Sequence, residues 1–229
     1  MKIGITISEA KFERYINWFE NFKINYEILN YNNHEEGIKK LHECSGLLLS
    51  GGVDIYPEIY CDWDTIETNG TYNPERDGFE LKILETAIEG KLPILAICRG
   101  LQLVNVFYRG SLIFDLEEIR NVNHRKISPA EDRLHKVCIF QNTLLHDIMN
   151  VDHSIVTSSH HQAIDRLGEG LMINAKSDDG IIEGIEYQEK SDKPFFIGVQ
   201  WHPERFRDLS DPASKNILDK FIAACTNET

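Results

Sequence analysis

Short β-branched and leucine-rich runs alternate along the chain with segments whose apolar residues return every three or four positions, the pattern of an α/β fold with crossover helices. The strands expected are Ile3 to Ile7, Tyr26 to Asn30, Gly46 to Ser50 and Pro93 to Cys98, then Lys136 to Phe140, Ser154 to Thr157, Leu171 to Ala175 and Phe195 to Val199. Between the first two, Phe12, Tyr15, Ile16, Phe19 and Phe22 fall on one helical stripe, which predicts a helix packed on the sheet. A second helix is predicted from Asn73 and Pro74, an N-cap and a first-turn residue, with Phe79, Ile83 and Ala87 on its buried face. It ends before Gly90, which is expected in the left-handed position past the helix end. Asn121 to Arg133 is polar, carries Pro129 and reads as a crossing into a later, more antiparallel part.

Composition narrows the class. With 229 residues, 41% hydrophobic, no repeats and no long linker, the expectation is one domain spanning residues 1–229. A formal net charge of -13 repels phosphate backbones and anionic lipid, so a small-molecule substrate is expected rather than nucleic acid or a membrane. Five widely spaced cysteines without a CxxC pair suit neither a disulfide framework nor a zinc site. The chain runs from MKIGITISEA directly into strand alternation, with no secretory pattern and no membrane-length apolar run, so a cytoplasmic location is expected.

The candidate chemistry lies in two segments. In KLPILAICRGLQLVNVF an apolar run delivers Cys98 into a small-residue turn followed by a helical pattern at Leu101, Val104 and Phe107. Such a nucleophile elbow needs a glycine nearby, here Gly100, and a helix N-terminus there favours the thiolate. A buried structural cysteine is the plainer alternative. In FFIGVQWHPERF a second apolar run ends at His202, Pro203 and Glu204. A cysteine hydrolase needs an imidazole to take the thiol proton and a carboxylate to orient that imidazole, and this segment supplies both; a strand-capping histidine beside a solvated glutamate is the alternative.

LLLSGGVDIYPEIY (47–60), ERDGFE (75–80), PILAICRGLQLVNV (93–106), SSHHQAID (158–165), DGIIEGIE (179–186) and GVQWHPERF (198–206) together resemble the class I glutamine amidotransferases. Within them they are most similar to the γ-glutamyl-γ-aminobutyrate hydrolase branch. The resemblance implies a flavodoxin-like, doubly wound, mixed and mainly parallel sheet with helices on both faces. It also implies a catalytic triad of Cys98, His202 and Glu204, an oxyanion hole from the N–H groups of Gly52 and Arg99, and substrate binding by Gln102, Ser159, His160, His161 and Gln162. The reaction implied is cysteine-dependent cleavage of a γ-glutamyl amide through a thioester, with neither metal nor organic cofactor. A metal on His160 and His161 is disfavoured because adjacent side chains diverge in a strand and no third ligand stands at metal spacing. Arg76 and Asp77 read as an ion pair at a helix start. A homodimer is left open, and the alternative function is a glutaminase subunit supplying ammonia to a separate synthase. Ala96, Arg109 with Gly110, and Cys61 depart from the family pattern, at positions that bear on substrate choice more than on chemistry.

Overall fold

The computed structural model describes residues 1–61 and 70–226. Its strands, in chain order, are β1 (Ile3–Thr6), β2 (Tyr26–Leu29), β3 (Gly46–Leu49), β4 (Ile94–Ile97), β5 (Leu112–Ile113), β6 (Arg133–Ile139), β7 (His153–Ser158), β8 (Ala163–Ile164), β9 (Leu171–Ser177), β10 (Ile182–Tyr187) and β11 (Phe196–Val199). The helices are α1 (Phe12–Asn21), α2 (His34–Leu41), α3 (Pro74–Glu89), α4 (Arg99–Phe107), α5 (Leu116–Arg120), α6 (Leu144–Met149) and α7 (Lys215–Thr226). Nine strands form one sheet in the order β2-β1-β3-β4-β11-β10-β9-β6-β7, while β5 and β8 pair separately.

The strands from β2 to β11 in that order are parallel, and from β11 outward every pairing is antiparallel. This is the mixed, doubly wound sheet the sequence implies. Because β1 sends the chain to β2 on one side and β3 lies on its other side, the order reverses there, and a crevice opens at the carboxyl ends of the strands. Two reversals beyond β11 return β9 to the β11 direction, and two more return β7. The carboxyl ends of β3, β4, β11 and β7 therefore share one edge with the starts of β6 and β10.

Both faces are covered, which explains the continuous apolar runs of the central strands. Ile3, Ile5, Leu48, Leu95 and Ile97 meet α1 and α7 on one face through Tyr15, Trp18, Phe19, Ile217, Leu218 and Phe221. Leu47, Leu49, Ile94 and Ala96 meet α3 and α4 on the other through Phe79, Ile83, Ala87 and Leu101. Each large aliphatic or phenylalanine side chain among these contributes about 1.5–3 kcal/mol of burial.

Three local expectations change. Asn73 caps α3 by accepting from the Arg76 N–H (3.1 Å), but Gly90 stays right-handed (φ -75°) and the left-handed residue is Lys91 (φ 53°). β6 starts at Arg133, three residues before Lys136, because its outer edge is only half-buried and its apolar signal fades. The strand pattern misses β10, whose Glu183 and Glu186 are both fully buried. Glu186 accepts from the first N–H groups of α6, Leu144 (2.8 Å) and Leu145 (3.1 Å), so an acid in a strand caps a distant helix.

Candidate active site

Cys98 follows β4 and precedes α4, with φ 53° and ψ -105°. That conformation is strained for a residue with a side chain and costs on the order of 1–3 kcal/mol, which the flanking structure holds in place. The Cys98 N–H donates to the Val199 carbonyl (2.8 Å), tying the elbow to the end of β11. Gly100 lets α4 approach β3: a Cβ there would lie 2.4 Å from the Leu49 carbonyl oxygen.

His202 and Glu204 follow β11 and are both buried. His202 Nδ1 lies 2.8 Å from Glu204 Oε1; an ionised carboxylate can only accept, so Nδ1 carries the proton and Nε2 is bare. Thr157 holds the His202 backbone at both ends, accepting from its N–H (3.3 Å) and donating to its carbonyl (3.2 Å). Cys98 and His202 line one cavity of about 380 Å³. They flank a single point: a Cβ built on Gly51 would lie 3.1 Å from His202 Cε1 and 3.5 Å from Cys98 Cβ.

Electrostatics sets the resting protonation. Burial pushes the Cys98 thiol up to about 12, against the pull of the Arg205 guanidinium and of the Arg99 N–H at the start of α4. Burial, then Arg205, depress His202 below its usual 6.5, with Glu204 opposing. Burial alone would raise Glu204, but His202 and Arg205 outweigh it and hold the carboxyl below its usual range. The resting pair is thus a thiol beside a neutral imidazole. The helix N-terminus does favour the thiolate, as expected from the sequence, but desolvation is the larger effect.

The turn after β3 is held by side chains from two helices, α1 and α3. Gly51 N–H donates to Tyr15 Oη (2.9 Å), and Arg76 Nη2 donates to Ser50 Oγ (3.1 Å) and the Gly51 carbonyl (2.9 Å). Gly52 has φ 153°, and a Cβ there would fall 2.0 Å from Arg76 Nη1. Arg76 and Asp77 do not pair with each other, contrary to the expectation from their adjacency. Arg76 binds Glu9 and Glu80, and Arg99 binds Asp77 and Glu80. One buried network therefore ties the turn carrying Gly52 to the helix start carrying Arg99.

The remaining sequence candidates lie on the cavity lining or just behind it. Ser159, His160 and His161 line the cavity, and His160 and His161 diverge as expected. His161 Nε2 lies 3.1 Å from Asp54 Oδ2, while His160 turns inward, with Nδ1 2.9 Å from the Gln162 carbonyl oxygen. Gln162 is buried and lines an adjoining hollow of about 660 Å³ that shares Gly52, Arg125 and His161 with the first cavity. Gln102 is buried, and its amide donates to the Gln162 carbonyl (3.0 Å) and to Gln200 Oε1 (3.1 Å). Through these bonds it braces the wall.

Sequence reasoning left several residues at or beside the cavity without a role. Gln200, inside the GVQWHPERF motif, donates from Nε2 to Cys98 Sγ at 3.4 Å. Lys11, Arg125, Lys126 and Arg205 give the cavity a basic rim on a chain of net charge -13. Only Arg205 lay within a motif; Lys11 is the residue that precedes α1, and Arg125 and Lys126 lie in the polar crossing with no periodic signal.

With a strained cysteine elbow, a histidine and glutamate from the next parallel strand and a doubly wound sheet, the molecule has the class I glutamine amidotransferase fold. It matches the Trypanosoma brucei CTPS glutaminase domain with a TM-score of 0.64 over 99% of this chain and 94% of that one, at 16% identity. A candidate GMP synthase subunit from Thermoplasma acidophilum matches with a TM-score of 0.70 over 100% of this chain and 95% of that one, at 18% identity. The chain belongs to the peptidase C26 family, whose model matches residues 7–204, and at family level it is one of the hydrolases of C–N bonds. A glutamine amidotransferase-like protein of Lactococcus lactis is 38% identical over 160 residues, 69% of this chain and 65% of that protein. The γ-glutamyl-γ-aminobutyrate hydrolase of Escherichia coli K12 is 33% identical over 196 residues, 81% of this chain and 73% of that one. No helix among the described residues is long and apolar enough to cross a membrane.

Proposed function

We propose that this protein hydrolyses the γ-glutamyl amide bond of a small γ-glutamyl conjugate, releasing glutamate and an amine. The observation that carries this reading is the shared cavity: Cys98 on its strained elbow opens onto the same space as His202, whose Nδ1 is held at 2.8 Å by buried Glu204. In the reaction, His202 Nε2 takes the thiol proton as Cys98 Sγ attacks the γ-carbonyl carbon. The oxyanion is received by the N–H groups of Gly52 and Arg99. Because the Gly51 N–H is already bonded to Tyr15, Gly52 is the donor this turn offers the cavity. Imidazolium returns the proton to the leaving amine as the C–N bond breaks, and water, deprotonated by His202, then opens the thioester.

The basic rim suits the free α-carboxylate of a glutamyl group, with Ser159, His160 and His161 lining the same cavity. The adjoining hollow past Gly52 and His161 has room for a substituent on the amide nitrogen, which favours a substituted amide over glutamine. Glutamate release by the isolated chain is measured on glutamine and on a panel of N-substituted γ-glutamyl amides, beside Cys98→Ala. Faster release from substituted amides, abolished in the variant, is the expected result. Release from glutamine alone, or only with an added synthase, would transfer the assignment to a glutaminase subunit.

A further inference from the structure

Behind the cavity wall, four segments distant in sequence bring three histidines and a glutamate together: His124 from the crossing, His135 from β6, His160 after β7 and Glu183 from β10. Glu183 is fully buried, His124 and His160 are nearly so, and His135 is 15% exposed at its side chain. His124 Nδ1 and His160 Nε2 stand 3.1 Å apart, and Glu183 Oε1 lies 3.2 Å from the first and 3.4 Å from the second. His135 Nε2 lies 3.5 Å from Glu183 Oε2, and ligand atoms of His124, His135 and Glu183 all fall within 4.8 Å of one another.

The outer nitrogens are already committed. His124 Nε2 faces Asp179 Oδ2 at 2.9 Å and His160 Nδ1 faces the Gln162 carbonyl oxygen at 2.9 Å, both acceptors. In their neutral form both rings carry their protons on the outside, and two bare nitrogen lone pairs then converge with a buried carboxylate. Hydrogen bonds among these groups do not complete the cluster: neither Glu183 oxygen receives an in-line hydrogen bond, and neither His135 nitrogen makes one. A buried carboxylate without such partners is costly, and a cation accepting the converging lone pairs removes that cost. In a tetrahedral site with metal–ligand distances near 2.0–2.1 Å, ligand atoms stand roughly 3.3–3.4 Å apart, close to the spacings found here. An oxygen acceptor behind each ligating imidazole is likewise the arrangement that orients histidines on a metal.

We propose that His124 Nδ1, His160 Nε2 and Glu183 bind one divalent cation of the zinc class, with His135 beside the second carboxylate oxygen. The ion pins the crossing, β6, the His160–Gln162 turn and β10 to one another. It thereby fixes the wall facing Cys98, since the Glu183 carbonyl also accepts from the Gln200 N–H (2.8 Å). The divergence of His160 and His161 stands; the further ligands come from the crossing and from β10, which only the antiparallel half of the sheet brings to this edge.

The test uses the full chain carrying Cys98→Ala, so that the Cys98–His202 pair cannot supply the binding and the outcome is independent of the hydrolase reading. After chelator treatment the protein is titrated with Zn²⁺ by calorimetry and with Co²⁺ by visible absorption. One equivalent of Zn²⁺ at micromolar affinity or tighter, a tetrahedral Co²⁺ spectrum and a raised Tm are expected. Zinc binding is expected to weaken at least a hundredfold in added Glu183→Gln or His124→Gln variants. Should either variant fail to fold, imidazole NMR of the Cys98→Ala parent reads the site directly: Zn²⁺ shifts His124, His135 and His160 and leaves His202 in place. Absence of zinc binding, binding unchanged by both folded variants, or shifts confined to other histidines overturns the proposal and leaves the cluster bridged by protons.

Discussion

Replacing Glu204 with glutamine removes one charge from beside His202 and almost nothing of the shape. Glu204 Oε1 accepts from His202 Nδ1 at 2.8 Å and from Arg205 Nε at 3.1 Å, while Oε2 is buried without a hydrogen-bond partner. A glutamine amide has two orientations. With its NH₂ toward His202 it would oppose the Arg205 donor as well as the imidazole N–H. With its oxygen there, both hydrogen bonds persist and the NH₂ takes the place of Oε2. The second orientation is the one expected, so the tautomer that leaves Nε2 bare survives. What is lost is the attraction between carboxylate and imidazolium when His202 takes the thiol proton. At charge centres ~4 Å apart and an effective dielectric near 20, that is about 4 kcal/mol, or on the order of a thousandfold in kcat/KM. A reversed amide that enforces the wrong tautomer would cost nearer ~10⁴-fold. The pH profile separates the two further. The carboxylate is what raises His202, with burial and Arg205 depressing it, so its removal moves the acid limb to lower pH. Glutamate release from a γ-glutamyl anilide across pH reads both. A kcat/KM within tenfold of the parent, or an acid limb displaced upward, would refute the role given to Glu204.

In the parent protein His202 must be neutral to act as base, and it is held below 6.5, so kcat/KM should rise with pH through a midpoint below that value. With the Cys98 thiol at about 12, alkylation by iodoacetamide should keep rising with alkaline pH; a plateau near neutrality would contradict a resting thiol. Gly52→Ala meets both a φ of 153° and a Cβ 2.0 Å from Arg76 Nη1, so it should displace the oxyanion donor and lower kcat by roughly 10²–10³-fold, with KM changing less. Arg76→Met removes the buried cation that Glu9 and Glu80 share, leaving Glu80 with Arg99 alone, and should cost about 3–5 kcal/mol in urea unfolding, a loss larger than a surface ion pair would give.

Local chemistry made much of this molecule legible in its sequence. The fully buried parallel strands announce themselves as apolar runs because helices cover both faces, and α1 shows its stripe because its other face meets water. The elbow at Cys98 and the WHPE turn stand out for the same reason: each is an abrupt change of residue type at the end of such a run. β10 was hidden because its burial is partly polar, with Glu186 capping α6 and Glu183 meeting three histidines, and no periodicity marks an acid whose partners lie elsewhere. The α3 terminus passed its left-handed residue to Lys91 because helix endings respond to the chain that follows as well as to glycine. Arg76 and Asp77 looked like a local pair, yet successive residues on a helix point in different directions: Asp77 meets Arg99 on α4, while Arg76 meets Glu80 one turn along its own helix and Glu9 beyond it. Sequence alone determined which residues could do chemistry and the class of fold that would carry them. Tertiary structure decided their protonation, because desolvation depends on what packs around a group. It also decided the buried Arg76–Arg99 network and the His124–Glu183 cluster, because these exist only where strand order and direction bring distant segments to one edge of the sheet.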